Sequence, residues 1–373
     1  MTTHIQVDLT KQLIEDPTSG HNRLHPDIPP IVRVEPGELV VVDLRDGMDG
    51  QITAKTTAPE IHDVDGRRGL PLTGPIYVNG AEPGDLLDIE VLNISPGSYG
   101  WTAILPGFTY LADRFPDPYV VHWDIADGVA TSVDLPGVAV RGAPFLGAML
   151  VAPSHDELEQ FRAREQDLAA SGAVVPLPDP EFAIPSAEPL AREALRLVPP
   201  RENGGNMDVR QLTAGSKLTL RVRVPGGLFS AGDPHFAQGE GESGGSAIET
   251  TATACFRFRV RKKESVRWTP RMPVVEFSEA GRRYIMTTGI SVTDDGRNLD
   301  MDLKAATRVA LIQMIDYLVH ERGYSDQQAA ILTGAAVDLR ESEVVNPPNV
   351  LVGAVLPMDI FTGSGRFDAP VDG

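Results

Sequence analysis

Short apolar runs, separated by turns rich in proline and glycine, dominate the chain. Residues 31–34 and 39–43 are two such runs on either side of a Glu-Pro-Gly-Glu turn, whose proline and glycine positions favour a type II turn. Residues 251–261 alternate apolar and polar side chains, which is typical of a half-exposed antiparallel strand. Further strands are predicted at residues 76–78, 86–91, 144–151, 209–212 and 218–224. The chain is therefore predicted to be mainly β (α+β), with strands packed as a β-sandwich or jelly-roll and a few helices, mostly C-terminal.

Three segments predict helices. A serine and a glutamate form a capping box that opens a highly charged helix over residues 154–170. Apolar residues recur at helical spacing over residues 302–322, and the glycine that follows fits a C-terminal cap. A second capping box, of serine and glutamine, opens a helix over residues 325–339. Two of these three helices lie near the end of the chain.

The clearest change of composition lies in the middle of the chain. Residues 172–201 are proline-rich and mostly lack periodicity, which is typical of a linker or a long loop. They separate an N-terminal β-rich half, residues 1–171, from a C-terminal β half, residues 202–373, which carries the two late helices. The two halves need not fold separately.

The composition narrows the classes of partner. The chain of 373 residues has a formal net charge of -19, which argues against nucleic acid and anionic membrane surfaces as partners. Its single cysteine, Cys255, excludes an internal disulfide and favours a reducing compartment. No apolar signal stretch or bilayer-spanning run is present in the sequence, so we expect a cytoplasmic protein without a membrane partner.

The side chains most able to bind a metal or transfer a proton are concentrated in residues 232–242, which are followed by Glu249. Pro234 disfavours the helical region for the residue before it, so Asp233 is predicted to be extended. Residues two apart in an extended chain point the same way, which places Asp233 and His235 on one side. Carboxylates that converge on an imidazole suit a divalent metal or an acid/base pair. A surface loop with solvated acids is the alternative.

Four stretches, in order along most of the chain, carry a family resemblance. They are His21-Asn22-Arg23-Leu24-His25-Pro26-Asp27-Ile28-Pro29-Pro30, Thr73-Gly74-Pro75-Ile76-Tyr77-Val78-Asn79-Gly80, Gly204-Gly205-Asn206-Met207-Asp208, and Pro225-Gly226-Gly227-Leu228-Phe229-Ser230 through Gly241-Glu242 to Ala247-Ile248-Glu249. The sequence resembles the acetamidase/formamidase family, and the first stretch resembles its longer, formamidase-type branch. The resemblance implies a hydrolase that releases ammonia from small aliphatic amides, formamide first and acetamide second.

Amide hydrolysis needs an activated nucleophile, stabilisation of the oxyanion and a proton for the leaving amine. The pattern and the resemblance together imply a divalent metal that activates water; Zn²⁺ is the first expectation, and Ca²⁺, Mg²⁺ and Mn²⁺ stay open. The predicted metal ligands are Asp233, His235, Asp208 and Asp46. The predicted catalytic groups are Glu242, Glu249 and Gln238. The predicted substrate-binding residues are Trp101, Phe236 and Glu240. Asp49 is a further candidate, beside Asp46, and both acids also fit a simple turn.

A nucleophilic cysteine is expected to be absent at the family position. Many members resemble Gly-Glu-x-Cys-Gly where this chain reads Gly241-Glu242-Ser243-Gly244-Gly245, so Gly244 stands in the place of that cysteine. Cys255 lies on a patterned strand and is expected to be inert. Ser243 and Ser246 stay open as nucleophiles.

Two other functions stay open. One is a non-catalytic β-sandwich that binds a metal or a carbohydrate, with Asp233, Glu240 and Glu242 holding Ca²⁺ structurally. The other is an amidohydrolase for a larger amide. Edge strands and the arginines of residues 257–261 suggest a homo-oligomer, a dimer or higher.

Overall fold

Strands make up most of the regular structure. The computed structural model describes residues 2–362. The strands of this part are β1 (Thr2–Ile5), β2 (Gly20–His21), β3 (Val32–Val34), β4 (Leu39–Leu44), β5 (Leu72–Val78), β6 (Leu86–Ile104), β7 (Tyr119–Ala126), β8 (Val129–Thr131), β9 (Ala139–Arg141), β10 (Phe145–Leu150), β11 (Gly204–Asn206), β12 (Lys217–Arg221), β13 (Phe229–Ala237), β14 (Ile248–Arg261), β15 (Val274–Glu279), β16 (Arg282–Ile290), β17 (Asp338–Glu343) and β18 (Leu351–Pro357).

Helices are few in the same part of the chain. The α-helices are α1 (His155–Ala170), α2 (Leu190–Glu193), α3 (Leu303–Arg322) and α4 (Asp326–Ala336). Short 3-10 helices occur at Leu13–Glu15, Ala58–Asp63, Lys263–Ser265 and Met358–Ile360. Within residues 2–362, none of the helices combines the length and the apolar character needed to cross a bilayer.

Two long strands, β6 and β14, pair antiparallel and organise the larger group of strands. On one side β14 also pairs with β4, and β4 pairs with β1. On the other side β6 pairs with β12, which continues through β15, β16 and β18 to β17. Among the named strands, only β1–β4 and β3–β5 pair in parallel.

A second group of strands packs against the first. β13 pairs with β5 and with β10, and β10 pairs with β11. Side chains from both groups, such as Val40, Ile76, Met149 and Phe256, share one buried apolar cluster, so the main core lies between them. β13 and β14 pair where His235 faces Glu249, which joins the two groups at one edge. The prediction of a mainly β fold with few, mostly late helices is confirmed.

Most predicted elements are present, with two corrections. Residues 209–212 form a turn after β11 rather than a strand. The last helix ends at Ala336 rather than near residue 339, because Val337 is extended and Asp338–Glu343 pairs with β18. The helix predicted over 302–322 is α3, capped by the Asp302 carboxylate and by left-handed Gly323.

Strands from the two predicted halves pair directly, since β6 pairs with β14 and β10 with β13. Residues 172–201 pack against the N-terminal arm, where Leu24 forms a bridge with Leu195 and Asn22 bonds to Ile184. The division into residues 1–171, 172–201 and 202–373 stays a prediction. The arginines of β14 partly pair within the chain, Arg257 with Glu90 and Arg261 with Asp88.

Candidate active site

Four carboxylates and one imidazole meet at the edge where β13 pairs with β14. Two groups of possible ligand atoms share His235, and together they contain the residues that we call the carboxylate cluster: Asp208, Asp233, His235, Glu242 and Glu249. Asp233 and His235 lie on β13, Glu249 lies on β14, and Asp208 follows β11. Glu242 lies in the loop between β13 and β14. Strand pairing and the adjoining loops therefore bring together residues that are up to 41 positions apart.

The imidazole of His235 is the centre of the cluster. Its Nε2 atom lies 3.2 Å from Glu249 Oε1, 3.4 Å from Asp233 Oδ1 and 4.0 Å from Glu242 Oε1. Asp208 is 0 % exposed and His235 1 % exposed, so bulk water does not solvate these charges. Within residues 2–362, the ion pairs of these carboxylates all involve His235.

Three of the five cluster residues have left-handed backbone. Asp208, Asp233 and Glu242 have φ values of 48°, 58° and 48°, which corrects the prediction that Asp233 is extended. A non-glycine residue in this region costs roughly 1–2 kcal/mol. Such strain persists where the surrounding structure fixes it, and it concentrates at functional sites. Asp233 and His235 still converge as the sequence predicts, but through this kink in β13.

Two glycines let backbone approach the carboxylates. A Cβ atom on Gly147 of β10 would lie 2.5 Å from Asp233 Oδ2 and closer still to Asp208 Oδ1. A Cβ atom on Gly47 would collide with Asp233 Oδ1 and lie 3.1 Å from Glu249 Oε2. Neither glycine has a positive φ, so close approach rather than backbone freedom explains these glycines.

Burial perturbs the acids of the cluster. Burial, reinforced by the charge of Asp233, raises the pKa of Asp208 to about 7. Burial also raises the pKa of Glu249, and burial with the charge of Asp208 raises the pKa of Glu242 well above its usual value. Burial alone lowers the pKa of an imidazole, yet the Glu249 and Asp233 carboxylates raise the pKa of His235 well above its usual value. Perturbed acids and bases of this kind mark candidate functional sites.

Gln238 fixes the orientation of the imidazole. Its Nε2 donates to the backbone oxygens of Asp208 at 3.0 Å and Ser342 at 3.3 Å, so its Oε1 is the acceptor. His235 Nδ1 lies 3.0 Å from that Oε1 and therefore carries the proton. Only Nε2 of His235 faces the carboxylates, where it either shares a proton with them or is free as a metal ligand. Gln238, predicted as catalytic, is placed as a positioning residue.

The cluster fits a divalent cation chemically. Asp208 Oδ1 and Glu249 Oε2 are buried and lack a hydrogen-bond partner within the described residues. Isolated buried carboxylates are costly unless they are paired or coordinate a metal. Carboxylate oxygens with one neutral imidazole suit Zn²⁺ as well as harder cations. The cluster is therefore a group of residues that could hold a metal.

The structure places the other predicted site residues as follows. Asp46 lies outside both ligand groups, and its carboxylate accepts from the backbone N–H of Met48 at 3.0 Å and Gly50 at 2.9 Å. Burial raises the pKa of Asp46 to about 6. Trp101 lines the cavity described below. Phe236 does not reach that cavity, because it packs in a separate apolar cluster with Trp123.

Several further candidates are engaged in contacts outside the carboxylate cluster. Glu240 accepts from Gln211 and pairs with Arg340, which holds it outside the cluster. Asp49 accepts from the backbone N–H of Leu13 at 2.9 Å. Ser246 Oγ donates to Ala103 O and accepts from Ala103 N, both at 2.9 Å, so its hydroxyl is fully engaged.

We still predict that the thiol of Cys255 is inert. It is half-buried on β14, and burial raises the pKa of its thiol. A raised pKa disfavours the thiolate, which is the nucleophilic form of cysteine.

Three polar residues at the site lie outside the predicted sets of metal ligands, catalytic groups and substrate-binding residues. Asn346 Nδ2 donates to Asp208 Oδ2 at 2.6 Å. Glu343 is 0 % exposed, and burial with the charge of Asp208 raises its pKa well above the usual value. Asn206 lines the cavity, and its Oδ1 atom has no partner within residues 2–362. Asn206 lies in a family-like stretch that offered a signal, whereas Asn346 follows an unpatterned segment that offered none.

A cavity of about 470 Å³ reaches three acids of the cluster, Asp233, Glu242 and Glu249. Its remaining walls are mostly apolar and come from connecting segments, so we call it the apolar-walled cavity. Those apolar residues are Met48, Ile61, Val64, Leu70, Trp101, Leu105, Pro106, Phe108, Val174, Val175, Pro176, Val198 and Pro347. Glu242 and Ser246 also border a second cavity of about 480 Å³, which Gly244 lines. An apolar pocket with a few convergent polar groups is the usual form of a small-molecule site.

The fold and the site together define a β-rich protein with a buried carboxylate–imidazole site beside a cavity. Comparison with known proteins then gives the family: the chain belongs to the Acetamidase/Formamidase family, whose family model matches residues 6–363. It is similar to the formamidase of Methylophilus methylotrophus, with 34% identity over 383 residues that cover 97% of this chain and 94% of that protein. It is also similar to the acetamidase of Mycolicibacterium smegmatis, with 34% identity over 360 residues that cover 88% of each. The solved structure of a gamma lactamase from Delftia acidovorans has 32% identity and a TM-score of 0.72, over 97% of this chain and 94% of that one.

Proposed function

We propose that this amidase hydrolyses the C–N bond of small linear aliphatic amides, the class that includes formamide and acetamide, to ammonia and a carboxylate. The observation that carries the proposal is the buried carboxylate cluster at the wall of a substrate-sized cavity. Family membership supports the reaction, as do the formamidase and acetamidase at 34% identity.

The reaction assigns distinct tasks to the residues. Water adds its oxygen to the amide carbonyl carbon, and a carboxylate accepts one of its protons. The C–N bond then breaks, the nitrogen receives that proton and leaves as ammonia, and the acid product ionises. Glu242 is our candidate for this proton transfer, because it belongs to the cluster and borders the apolar-walled cavity. Glu249 orients His235 from the neighbouring strand.

We also propose that the cluster holds a divalent cation through Asp233, His235 and Asp208, with Zn²⁺ as the first expectation and Ca²⁺, Mg²⁺ and Mn²⁺ open. When bound, such a cation lowers the pKa of its water and polarises a carbonyl. The two buried oxygens without a partner, on Asp208 and Glu249, support this part of the proposal. Homo-oligomeric assembly and a cytoplasmic location stay predictions of the sequence.

The test is ammonia release from formamide and acetamide by the purified protein, before and after chelation and with single metals added back. Glu242→Gln is expected to lower kcat by at least about 100-fold, the lower end for a lost general acid–base. Glu264→Gln, an exposed acid on a short 3-10 helix, is the matched control and should leave kcat unchanged. Full activity of Glu242→Gln would show that Glu242 does not transfer the proton. Activity that is unchanged by complete chelation would show that the reaction does not depend on a metal.

Two alternatives are tested by the same assay. Hydrolysis of a larger or cyclic amide is favoured by the size of the apolar-walled cavity and by the gamma lactamase relative. It predicts weak turnover of all the simple linear amides and strong turnover of a γ-lactam or a bulkier amide. A non-catalytic metal-binding role predicts bound metal, loss of stability on chelation and no turnover of any amide.

A further inference from the structure

The apolar-walled cavity is larger and more apolar than formamide requires. Its volume of about 470 Å³ lies within the range of roughly 300–1,000 Å³ that is usual for pockets of drug-sized ligands. At ~30 Å³ for each water molecule, it would hold about 15 waters. An amide with one or two carbons would leave most of the apolar wall of the cavity in contact with water.

Its walls form a built surface rather than a chance gap. Ile61, Trp101 and Leu105 are at most 9 % exposed and belong to one apolar cluster, against which Met48 and Val64 pack. The opposite contributions come from the segment around Val175 and Val198, which is anchored to the N-terminal arm. Apolar walls from three separate segments therefore surround the space next to the acids.

The few polar groups point to the same chemistry. Apart from the carboxylate cluster, the cavity is bordered by Asn206, Asn346, Ser246, His62 and Arg196. Asn346 and Ser246 are engaged by Asp208 and Ala103, as described above. Arg196 donates to the carbonyl oxygen of Gly66 at 2.7 Å. These five groups are outnumbered by the thirteen apolar residues of the wall, and the succinamate probe described below tests whether Arg196 selects an anionic chain instead.

We infer that the apolar-walled cavity binds the acyl chain of the substrate, and that the enzyme prefers amides with an apolar acyl group of about three to six carbons over formamide and acetamide. This inference rests on the proposed amidase function. The carbon chain of the substrate is assigned to the acyl side of the amide. The proposed product is ammonia, and therefore the amide nitrogen of the substrate carries no carbon chain. Each methylene moved from water to the wall contributes about 0.8 kcal/mol, which corresponds to about fourfold in kcat/KM.

The experiment measures kcat/KM by ammonia release for formamide, acetamide, propionamide, butyramide and hexanamide. Succinamate and N-butylacetamide are added as probes of an anionic chain and of a carbon chain on nitrogen, the latter followed by butylamine release. Two cavity-filling variants, Val198→Phe and Val175→Phe, each replace a half-buried wall residue. Val133→Phe, at a position that is 89 % exposed and outside the cavity lining, is the matched control.

We expect kcat/KM to rise about three- to fivefold for each added methylene from acetamide to butyramide. Each filling variant should lower kcat/KM for butyramide and hexanamide by roughly tenfold or more, with less than about a threefold change for formamide. The control should match the wild-type protein across the series. Two independent filling variants keep the test decisive if one of them fails to fold.

Other outcomes overturn the inference. A flat or falling series from formamide to butyramide would show that the cavity does not bind the acyl chain, while amidase activity would stand. A cavity-filling variant that lowers kcat/KM equally for all substrates would contradict selection of the acyl chain by the cavity wall. Preference for succinamate would show that the cavity binds an anionic chain, and preference for N-butylacetamide would show that it binds a carbon chain on the nitrogen. Either result would contradict binding of an apolar acyl chain. Absence of turnover for every amide would instead refute the proposed function itself.

Discussion

Replacing Gly147 with alanine should disable the carboxylate cluster while leaving the fold in place. The added Cβ atom would lie 2.5 Å from Asp233 Oδ2 and closer still to Asp208 Oδ1, whereas ordinary contact begins at 3.4 Å. The methyl group meets carboxylate oxygens rather than backbone, so the two side chains must move by about 1 Å. A misplacement of that size in a catalytic group can cost about 100-fold in rate.

We therefore expect Gly147→Ala to lower kcat/KM for the best amide by about 100-fold, equivalent to ~2.7 kcal/mol of transition-state stabilisation. The free energy of unfolding should fall by only about 1–3 kcal/mol, the usual cost of one extra methyl group in a packed interior. Activity is followed by ammonia release and stability by denaturant unfolding of the same preparation.

Gly334→Ala is the matched control, because no heavy atom lies within 4 Å of the added Cβ on exposed helix α4. It should leave kcat/KM unchanged and raise the free energy of unfolding by roughly 1 kcal/mol, since glycine is a poor helix former. If Gly147→Ala keeps kcat/KM within threefold of the wild-type value, the placement of Asp208 and Asp233 does not control catalysis.

Three further predictions follow from residues already described. Gln238→Met removes the partner of His235 Nδ1 and should lower kcat about 10- to 100-fold with little change in KM; an unchanged kcat would contradict the positioning role. Gly244→Cys should fold with an unchanged Tm, because the nearest atom to its Cβ is 3.8 Å away, and a large drop in Tm would contradict the open space. Burial lowers the pKa of His21 from 6.5 to about 4, so the unfolded chain binds a proton that the folded chain does not. Stability should therefore be intact above pH 6.5 and fall by up to ~3 kcal/mol as pH drops towards 4, measured by denaturant unfolding; an equally steep fall in His21→Gln would assign the effect elsewhere.

The sequence could predict the part of the site that strand geometry controls. Asp233 and His235 lie two apart on β13 and converge as predicted, although the left-handed backbone of Asp233 interrupts the regular alternation. Glu249 joins them because β14 returns alongside. The same alternation explains why Phe236 lies away from the cavity: its neighbour His235 faces the cluster, so Phe236 faces the apolar cluster on the other side.

The sequence could not predict what distant segments contribute. Asn346 reaches Asp208 across 138 positions, and nothing in its own surroundings marks it. Residues 172–201 lack a pattern of apolar residues, and yet Val175 and Val198 of this segment line the cavity. The left-handed backbone of Asp208, Asp233 and Glu242 was equally hidden, because only a small fraction of non-glycine residues adopt a positive φ.

The origin of the cavity walls has a consequence for how this enzyme can change over evolutionary time. The acids depend on strands whose pairing is shared with the core, so mutations there put folding at risk. Apart from Met48, Trp101 and Pro347, the apolar walls come from residues 61–70, 105–108 and 174–198, which carry few ladder hydrogen bonds. On the proposed assignment, substrate range and reaction chemistry are thus encoded largely in separate parts of the chain. Natural selection, or a designer, can retarget the enzyme to new amides by rewriting these segments while inheriting the catalytic residues unchanged.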